Sequence, residues 1–349
     1  MRRTFFAAAI AAIALLGSFS SSMAADPVTY YRTVSVGDVK VFYREAGDPR
    51  KPALLLLHGF PTSSHMFRNL IPLLADRYHV IAPDYPSFGF SDMPDRVQFK
   101  YTFEHLTEVM DGFTQAVGLK RYAMYIFDYG APIGMRLALA HPERITAIIS
   151  QNGNVYEEGL SAGFAGRLKA SREPTVAART TWRAALTPEA GLRRYMTGVP
   201  ETQRALVAPE TYTLDNTVLA RPGNDEIQLD LLMDYNSNLA LYPKFQDYLR
   251  AAKPPILAVW GKNDQTFVPA GAEAFRRDVP GAEVHLYDTG HFALETHLHE
   301  IAGVIRDFLR RKVEHVAATS GGISRPGGTQ SSGRSQAHSG PATDVMSRQ

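Results

Sequence analysis

The sequence predicts an α/β protein: a mostly parallel, twisted sheet with helices on both faces and a helical cap inserted late in the chain. Three observations predict it. Short apolar runs alternate with amphipathic segments over 27–154 and again over 251–313, the pattern of a parallel sheet covered by helices. The run Arg121–His141, RYAMYIFDYGAPIGMRLALAH, reads as strand, sharp turn and helix, with Asp128 at the turn. Over 155–250 no strand pattern occurs. Arg, Ala, Leu and Tyr recur there at helical spacing, with breaks expected at Pro174, Pro188, Pro200, Pro209, Pro222 and Pro243.

Each element has a local reason. Tyr30–Val36 and Val39–Ala46 flank Gly37-Asp38 and read as an edge hairpin. Ala53–Leu57 is a continuous apolar run ending in His58-Gly59-Phe60-Pro61, as a fully buried parallel strand should be. A helix is expected over Ser64–Ala75 and a strand over His79–Ala82. Thr102–Val117 is amphipathic, with Thr102 placed to cap it. After Arg121–Phe127 and a helix over Ile133–Ala140 comes a strand at Ile145–Ser150. Beyond the cap the alternation resumes with a strand at Ile256–Trp260, a helix at Ala270–Asp278, a strand at Glu283–Tyr287 and a helix at His297–Arg310.

The ends read differently. Arg2 and Arg3 give a positive start, Phe5–Leu16 is apolar but short for a bilayer, and Ser22-Met23-Ala24 supplies small residues. Residues 1–24 therefore read as a secretory signal peptide cut after Ala24, which implies a secreted or periplasmic protein. Residues 317–349 are rich in Gly and Ser and are expected to be disordered. The chain has no cysteine, which excludes disulfides, thiol catalysis and cysteine metal sites. The net charge is +2, and removing Arg2 and Arg3 brings it to 0. That balance gives no electrostatic case for nucleic acid or an anionic membrane surface, so the expected partner is a small molecule. The oligomeric state is not legible.

Asp128 alone could be an ordinary helix cap. Asp264, in Trp260-Gly261-Lys262-Asn263-Asp264, lies just past a strand, and so does His291, in Asp288-Thr289-Gly290-His291-Phe292. The order of nucleophile, acid and His is that of α/β-hydrolases. His58-Gly59-Phe60-Pro61 then adds a candidate oxyanion hole, formed by the backbone N–H groups of Phe60 and Tyr129.

HGFPTSSHMFRNL, IFDYGAPIGMRLALAHPERI, WGKNDQTF and DTGHFALET resemble the α/β-hydrolase superfamily over about Tyr30 to Leu309. The resemblance is to the aspartate-nucleophile branch, which holds epoxide hydrolases and haloalkane dehalogenases. It implies Asp128 as nucleophile, His291 as base and Asp264 as the acid orienting it. A carboxylate is a poor nucleophile toward an ester carbonyl but forms an ordinary ester at an sp³ carbon bearing a leaving group. His291 would then activate a water against that ester. No metal or organic cofactor is required.

The leaving group is the open choice. An epoxide leaves as an alkoxide and needs a proton, which a tyrosine can give. The cap offers several, and Asp234-Tyr235-Asn236-Ser237-Asn238 resembles the segment carrying the activating tyrosine of epoxide hydrolases, so Tyr235 is the expected proton donor. Tyr156 and Tyr195 are candidates for a second one. A halide instead needs N–H donors. This chain carries Tyr129 where those dehalogenases have tryptophan and Phe60 where many have asparagine. Trp182 reads as cap packing, although its indole could serve a halide. Ile126 points the other way, being bulkier than the small residue usual in epoxide hydrolases. Epoxide hydrolysis to a diol is thus the leading expectation, with haloalkane or haloacid dehalogenation second. A ligand-binding protein on a hydrolase scaffold is the non-enzymatic alternative. His285, His297 and His299 lack metal-site spacing, and Asp84, Ser91, Asp92 and Asn152 read as loop and turn residues.

Overall fold

The computed structural model describes residues 27–314. The signal peptide and the tail expected from the sequence lie outside the described residues. Eight strands form one sheet in the order β1-β2-β4-β3-β5-β6-β7-β8. They are β1 (Thr29–Val36), β2 (Val39–Ala46), β3 (Ala53–Leu57), β4 (His79–Pro83), β5 (Tyr122–Phe127), β6 (Ile145–Gln151), β7 (Ile256–Gly261) and β8 (Glu283–Tyr287). β1 and β2 pair antiparallel, β2 meets β4 antiparallel, and every later pair is parallel.

The side-chain period of two divides each central strand between two cores. Leu55 and Leu57 of β3, with Met124 and Ile126 of β5, pack under α2 (Phe103–Ala116) and α3 (Gly130–Ala140). Leu54 and Leu56, with Tyr125 and Phe127, face α1 (Leu70–Leu74) and α10 (Ala293–Leu309). All four leucines are fully buried, each worth roughly 1.5–3 kcal/mol relative to exposure, which is why the run tolerates no polar residue. α9 (Ala270–Asp278) covers β7.

Between β6 and β7 the chain is helical: α4 (Ala162–Ala170), α5 (Val176–Arg183), α6 (Pro188–Met196), α7 (Pro209–Leu219) and α8 (Asn224–Ala252). Pro188 and Pro209 each stand in the first turn of a helix, where no N–H partner is needed. The break expected at Pro243 does not occur. α8 runs through it for 29 residues, and buried Tyr242 and Phe245 anchor the turn that lacks its bond. α8 also ties the cap to the core: Asp234 accepts the Phe103 N–H at the start of α2, and Arg136 of α3 reaches Asn238.

Three other boundaries differ from expectation. Ser64–Ala75 divides into a tight turn at Ser64–Phe67 and the short α1. α3 begins three residues earlier than its apolar spacing suggested, and α10 begins at Ala293, with a kink at His297. The last two shifts place helix starts directly after Asp128-Tyr129 and His291-Phe292. No helix among the described residues is long and apolar enough to cross a membrane.

Candidate active site

β5 ends at Phe127 and α3 starts at Gly130, so two residues must reverse the chain. Asp128 absorbs the turn with φ 47°, a left-handed conformation that costs a non-glycine residue about 1–3 kcal/mol. The strain places its carboxylate at the start of α3. Oδ1 accepts the N–H of Phe60 at 2.7 Å and that of Tyr129 at 2.7 Å. The two N–H groups that the sequence reading assigned to an oxyanion hole thus converge on one oxygen of Asp128. Oδ2 accepts no hydrogen bond and lies 3.7 Å from His291 Nε2. Burial pushes the Asp128 carboxyl above its ordinary value, against the pull of the His291 charge and the two N–H bonds.

Asp264 and His291 follow β7 and β8. His291 Nδ1 lies 2.6 Å from Asp264 Oδ2, which fixes the ring and leaves Nε2 toward Asp128. Burial opposes protonation of His291, but the Asp264 carboxylate, helped by Asp128, outweighs it and raises the imidazole above its ordinary value.

Residues that sequence reading did not place in the site complete it. Asn152, at φ 45° just past β6, donates to Asp264 Oδ2 at 2.8 Å and accepts the Gly261 N–H at 2.9 Å. Its turn conformation is real, but the same turn aims its amide at Asp264. The Thr266 N–H binds Asp264 Oδ1 at 2.7 Å. Gln151 donates to the His291 carbonyl at 3.2 Å and accepts the Tyr125 hydroxyl. His58 accepts the Tyr85 N–H on Nε2 at 3.1 Å, leaving Nδ1 to donate to the Gly59 carbonyl at 3.0 Å. Burial pushes this imidazole down to about 3, so it is neutral, as those two bonds require. It holds the loop that presents the Phe60 N–H, next to the cis Phe60–Pro61 bond.

A small cavity of about 70 Å³ lies over Asp128 and His291, walled by Phe60, Tyr129, Phe164, Trp182, Arg194 and Leu232 among others. Trp182 packs edge-on against Phe164, and its Nε1 is buried without a partner at this wall. Tyr235 is buried behind the wall, its ring against Tyr129 and Phe164, and its hydroxyl has no hydrogen-bond partner. Burial, then neighbouring Tyr242 and Asp128, hold that phenol well above its ordinary value, so it stays protonated. The Tyr129 hydroxyl is also buried and unpartnered. The two proposed second tyrosines lie elsewhere. Tyr195 gives its hydroxyl to Asp215 at 2.7 Å, and Tyr156 packs on Phe275 of α9. The bulk of Ile126 is accommodated by Gly134 of α3, where a Cβ would stand 2.6 Å from an Ile126 methyl.

Asp84, Ser91 and Asp92 tie their loop together. Asp84 accepts the N–H groups of Ser64 and Phe90, Ser91 donates to the Asp84 carbonyl, and Asp92 accepts the Lys40 N–H. No metal-holding group of three or more His, Asp or Glu occurs among the described residues.

A strained acid at a strand–helix turn, held by two backbone N–H groups and facing a His that a second acid orients, with each of the three just past a strand, is hydrolase architecture. The α/β hydrolase fold family matches residues 52–298. The chain is an α/β-hydrolase. This hydrolase is 48% identical over 280 residues to the uncharacterized hydrolase YNR064C of Saccharomyces cerevisiae, spanning 79% of this chain and 95% of that protein. Its similarity to epoxide hydrolase A of Mycobacterium tuberculosis is 36% identity over 118 residues, 34% of this chain and 36% of the relative. Against the haloalkane dehalogenase of Mycobacterium marinum it is 34% over 116 residues, 33% and 39% of the two chains. Among solved structures, epoxide hydrolase VrEH1 of Vigna radiata matches with a TM-score of 0.64 at 22% identity, covering 81% of this hydrolase and 98% of that chain, a likeness of fold.

Proposed function

We propose that this hydrolase opens an epoxide to a diol through an ester on Asp128. The observation that carries the reading is the division of labour between the carboxylate oxygens: Oδ1 is pinned by two N–H groups, while Oδ2 is unbonded at the cavity. Oδ2 attacks a ring carbon, the carbon–oxygen bond breaks, and the departing alkoxide takes a proton from a tyrosine. Tyr235 is the donor this reading assigns, because its buried phenol stays protonated and has only the neighbouring Tyr242 phenol beside it. An unpartnered buried donor costs about 1–3 kcal/mol, which a ligand oxygen would recover.

Ester formation removes the negative charge of Asp128. His291 loses one of the two carboxylates that raise its basicity toward the proton and can then act as a neutral base. It takes a proton from a water, and the resulting hydroxide attacks Cγ of the ester. The developing oxyanion at Oδ1 falls on the Phe60 and Tyr129 N–H groups, already aligned at 2.7 Å. Collapse expels the diol oxygen, which His291 reprotonates, and leaves Asp128 as the carboxylic acid, whose proton returns to the Tyr235 phenolate. Water and epoxide then balance to one diol, with the Asp128 carboxylate and the Tyr235 phenol restored.

Dehalogenation is the second reading, and Trp182 is what favours it: its unpartnered Nε1 at the cavity wall could receive a halide. One experiment separates the two. His291→Gln should stop ester hydrolysis and trap the adduct, read by intact mass. An epoxide adds its whole mass, whereas a haloalkane adds its mass less that of the hydrogen halide. If neither class leaves an adduct that Asp128→Asn abolishes, the covalent mechanism is wrong.

A further inference from the structure

The cavity over Asp128 shares its Arg167, Ala185, Arg194, Thr266 and His291 walls with a larger one of about 360 Å³. Arg193 also lines the larger cavity. Elsewhere cap arginines meet carboxylates, as Arg179 meets Asp230 and Arg183 meets Asp225. Arg167, Arg193 and Arg194 have no carboxylate within salt-bridge distance among the described residues. The only carboxylates on the two walls are Asp128 and Asp264, both already committed to the site.

Arg194 is the nearest of the three to the chemistry. Its guanidinium lies 4.8 Å over the ring of Phe60, the residue whose N–H holds Asp128. Nη2 donates to the Ala185 carbonyl at 2.9 Å, while Nη1 is enclosed and has no partner. A buried charged donor left unmade is costly unless a ligand completes it. An anionic substrate approaching an anionic nucleophile also needs a cation beside it, because the two charges repel strongly in a site of low dielectric.

We infer that the substrate carries a carboxylate, bound by the free N–H groups of Arg194, with Arg167 and Arg193 lining its approach. The inference rests on the aspartyl-ester reading and names the substrate class for it. The reacting carbon lies close to the acid group, because Arg194 and Asp128 wall the same small cavity. A planar carboxylate suits both the fork of a guanidinium and the volume available.

The test compares acid and amide versions of the same electrophile: glycidate with glycidamide, and chloroacetate with chloroacetamide. The wild type should favour the acid by at least about tenfold in kcat/KM, the lower end expected for a hydrogen bond to a charged group. Arg194→Gln should bring the acid-to-amide ratio down about tenfold to a hundredfold, mainly through KM, and Arg194→Lys should keep part of it. A variant that merely misfolds lowers both members alike, and Arg194→Lys then retains the ratio if the inference holds. A wild type that prefers the amide, or a ratio unmoved by both substitutions, overturns it while leaving the ester mechanism standing. Absence of turnover for every pair, with no adduct on His291→Gln, instead removes the ester mechanism and this inference with it.

Discussion

His291 Nε2 lies 3.7 Å from Asp128 Oδ2, too far for a hydrogen bond and close enough for each charge to set the other's proton affinity. Burial raises Asp128 and the His291 charge opposes it; burial lowers His291 and the two carboxylates more than reverse it. In the proposed mechanism the two chemical steps therefore depend on different protonation states. There, ester formation needs ionised Asp128 and tolerates a protonated His291, whereas hydrolysis needs His291 neutral. As the pH falls through the range in which His291 takes up its proton, hydrolysis should slow before ester formation does, so the ester should accumulate on the wild-type enzyme. Rapid quenching and intact mass at about pH 5 and about pH 8 measure the esterified fraction in the steady state. A fraction independent of pH would contradict this assignment of roles.

Gly59 is needed for the close approach of two loops. A Cβ there would stand 2.3 Å from Cβ and 2.5 Å from Oδ1 of Asp128. Gly59→Ala must push the Phe60 N–H away from the oxygen it holds. Loss of one oxyanion donor costs about a hundredfold to a thousandfold in rate. The expected outcome is a drop of that size in kcat, with ester hydrolysis hit at least as hard as ester formation. Full activity in a folded Gly59→Ala protein would mean that the Phe60 N–H is dispensable.

The two proposed readings of the leaving group assign it to different donors, Tyr235 for an alkoxide and Trp182 for a halide. Each holds a buried donor without a partner, and only Trp182 stands on the cavity wall. If an alkoxide leaves, Tyr235→Phe should lower epoxide turnover by about a hundredfold or more while Trp182→Phe changes it little. If a halide leaves, Trp182→Phe should carry the loss. Rates of ester formation measured in the His291→Gln background give the comparison directly. Equal and small effects would assign the proton or halide to another donor, the unpartnered hydroxyl of cavity-lining Tyr129 being a candidate.

The central strands were legible because burial on both faces forces continuous apolar runs, as in β3; the half-buried edge strand β8 and helix α9 also have the residues their sequence patterns indicate. Asp128, Asp264 and His291 stood out in the sequence because each lies just past a strand. Helix starts were less so. α3 and α10 begin with small or polar-flanked residues directly after the site, before any apolar period is established. The cap walls were hidden for a different reason. Arg193 and Arg194 are consecutive arginines on one helix, one exposed and the other reaching Phe60, and only tertiary packing separates them. Asn152 looked like a turn residue because it is one; that its amide meets Asp264 depends on β7 lying next to β6.

Asp215 of α7 makes the stability of the cap depend on pH. It is buried, accepts the Tyr195 hydroxyl at 2.7 Å, and Tyr195 in turn stacks 3.8 Å from Phe292, the neighbour of His291. Burial pushes its carboxyl up to about 7, although the Tyr195 bond and the Arg194 charge pull it down and Glu295 adds to the rise. A carboxyl raised in the folded state keeps its proton there while the unfolded chain loses it. The stability it contributes is therefore full below about pH 4 and is lost as the pH rises toward 7. A displacement from 3.8 to about 7 corresponds to up to roughly 4 kcal/mol. Asp215→Asn still accepts from Tyr195 but has no proton to lose. Its melting temperature relative to the wild type should rise steadily between about pH 4 and pH 8. A constant difference across that range would show that Asp215 ionises freely in the folded protein.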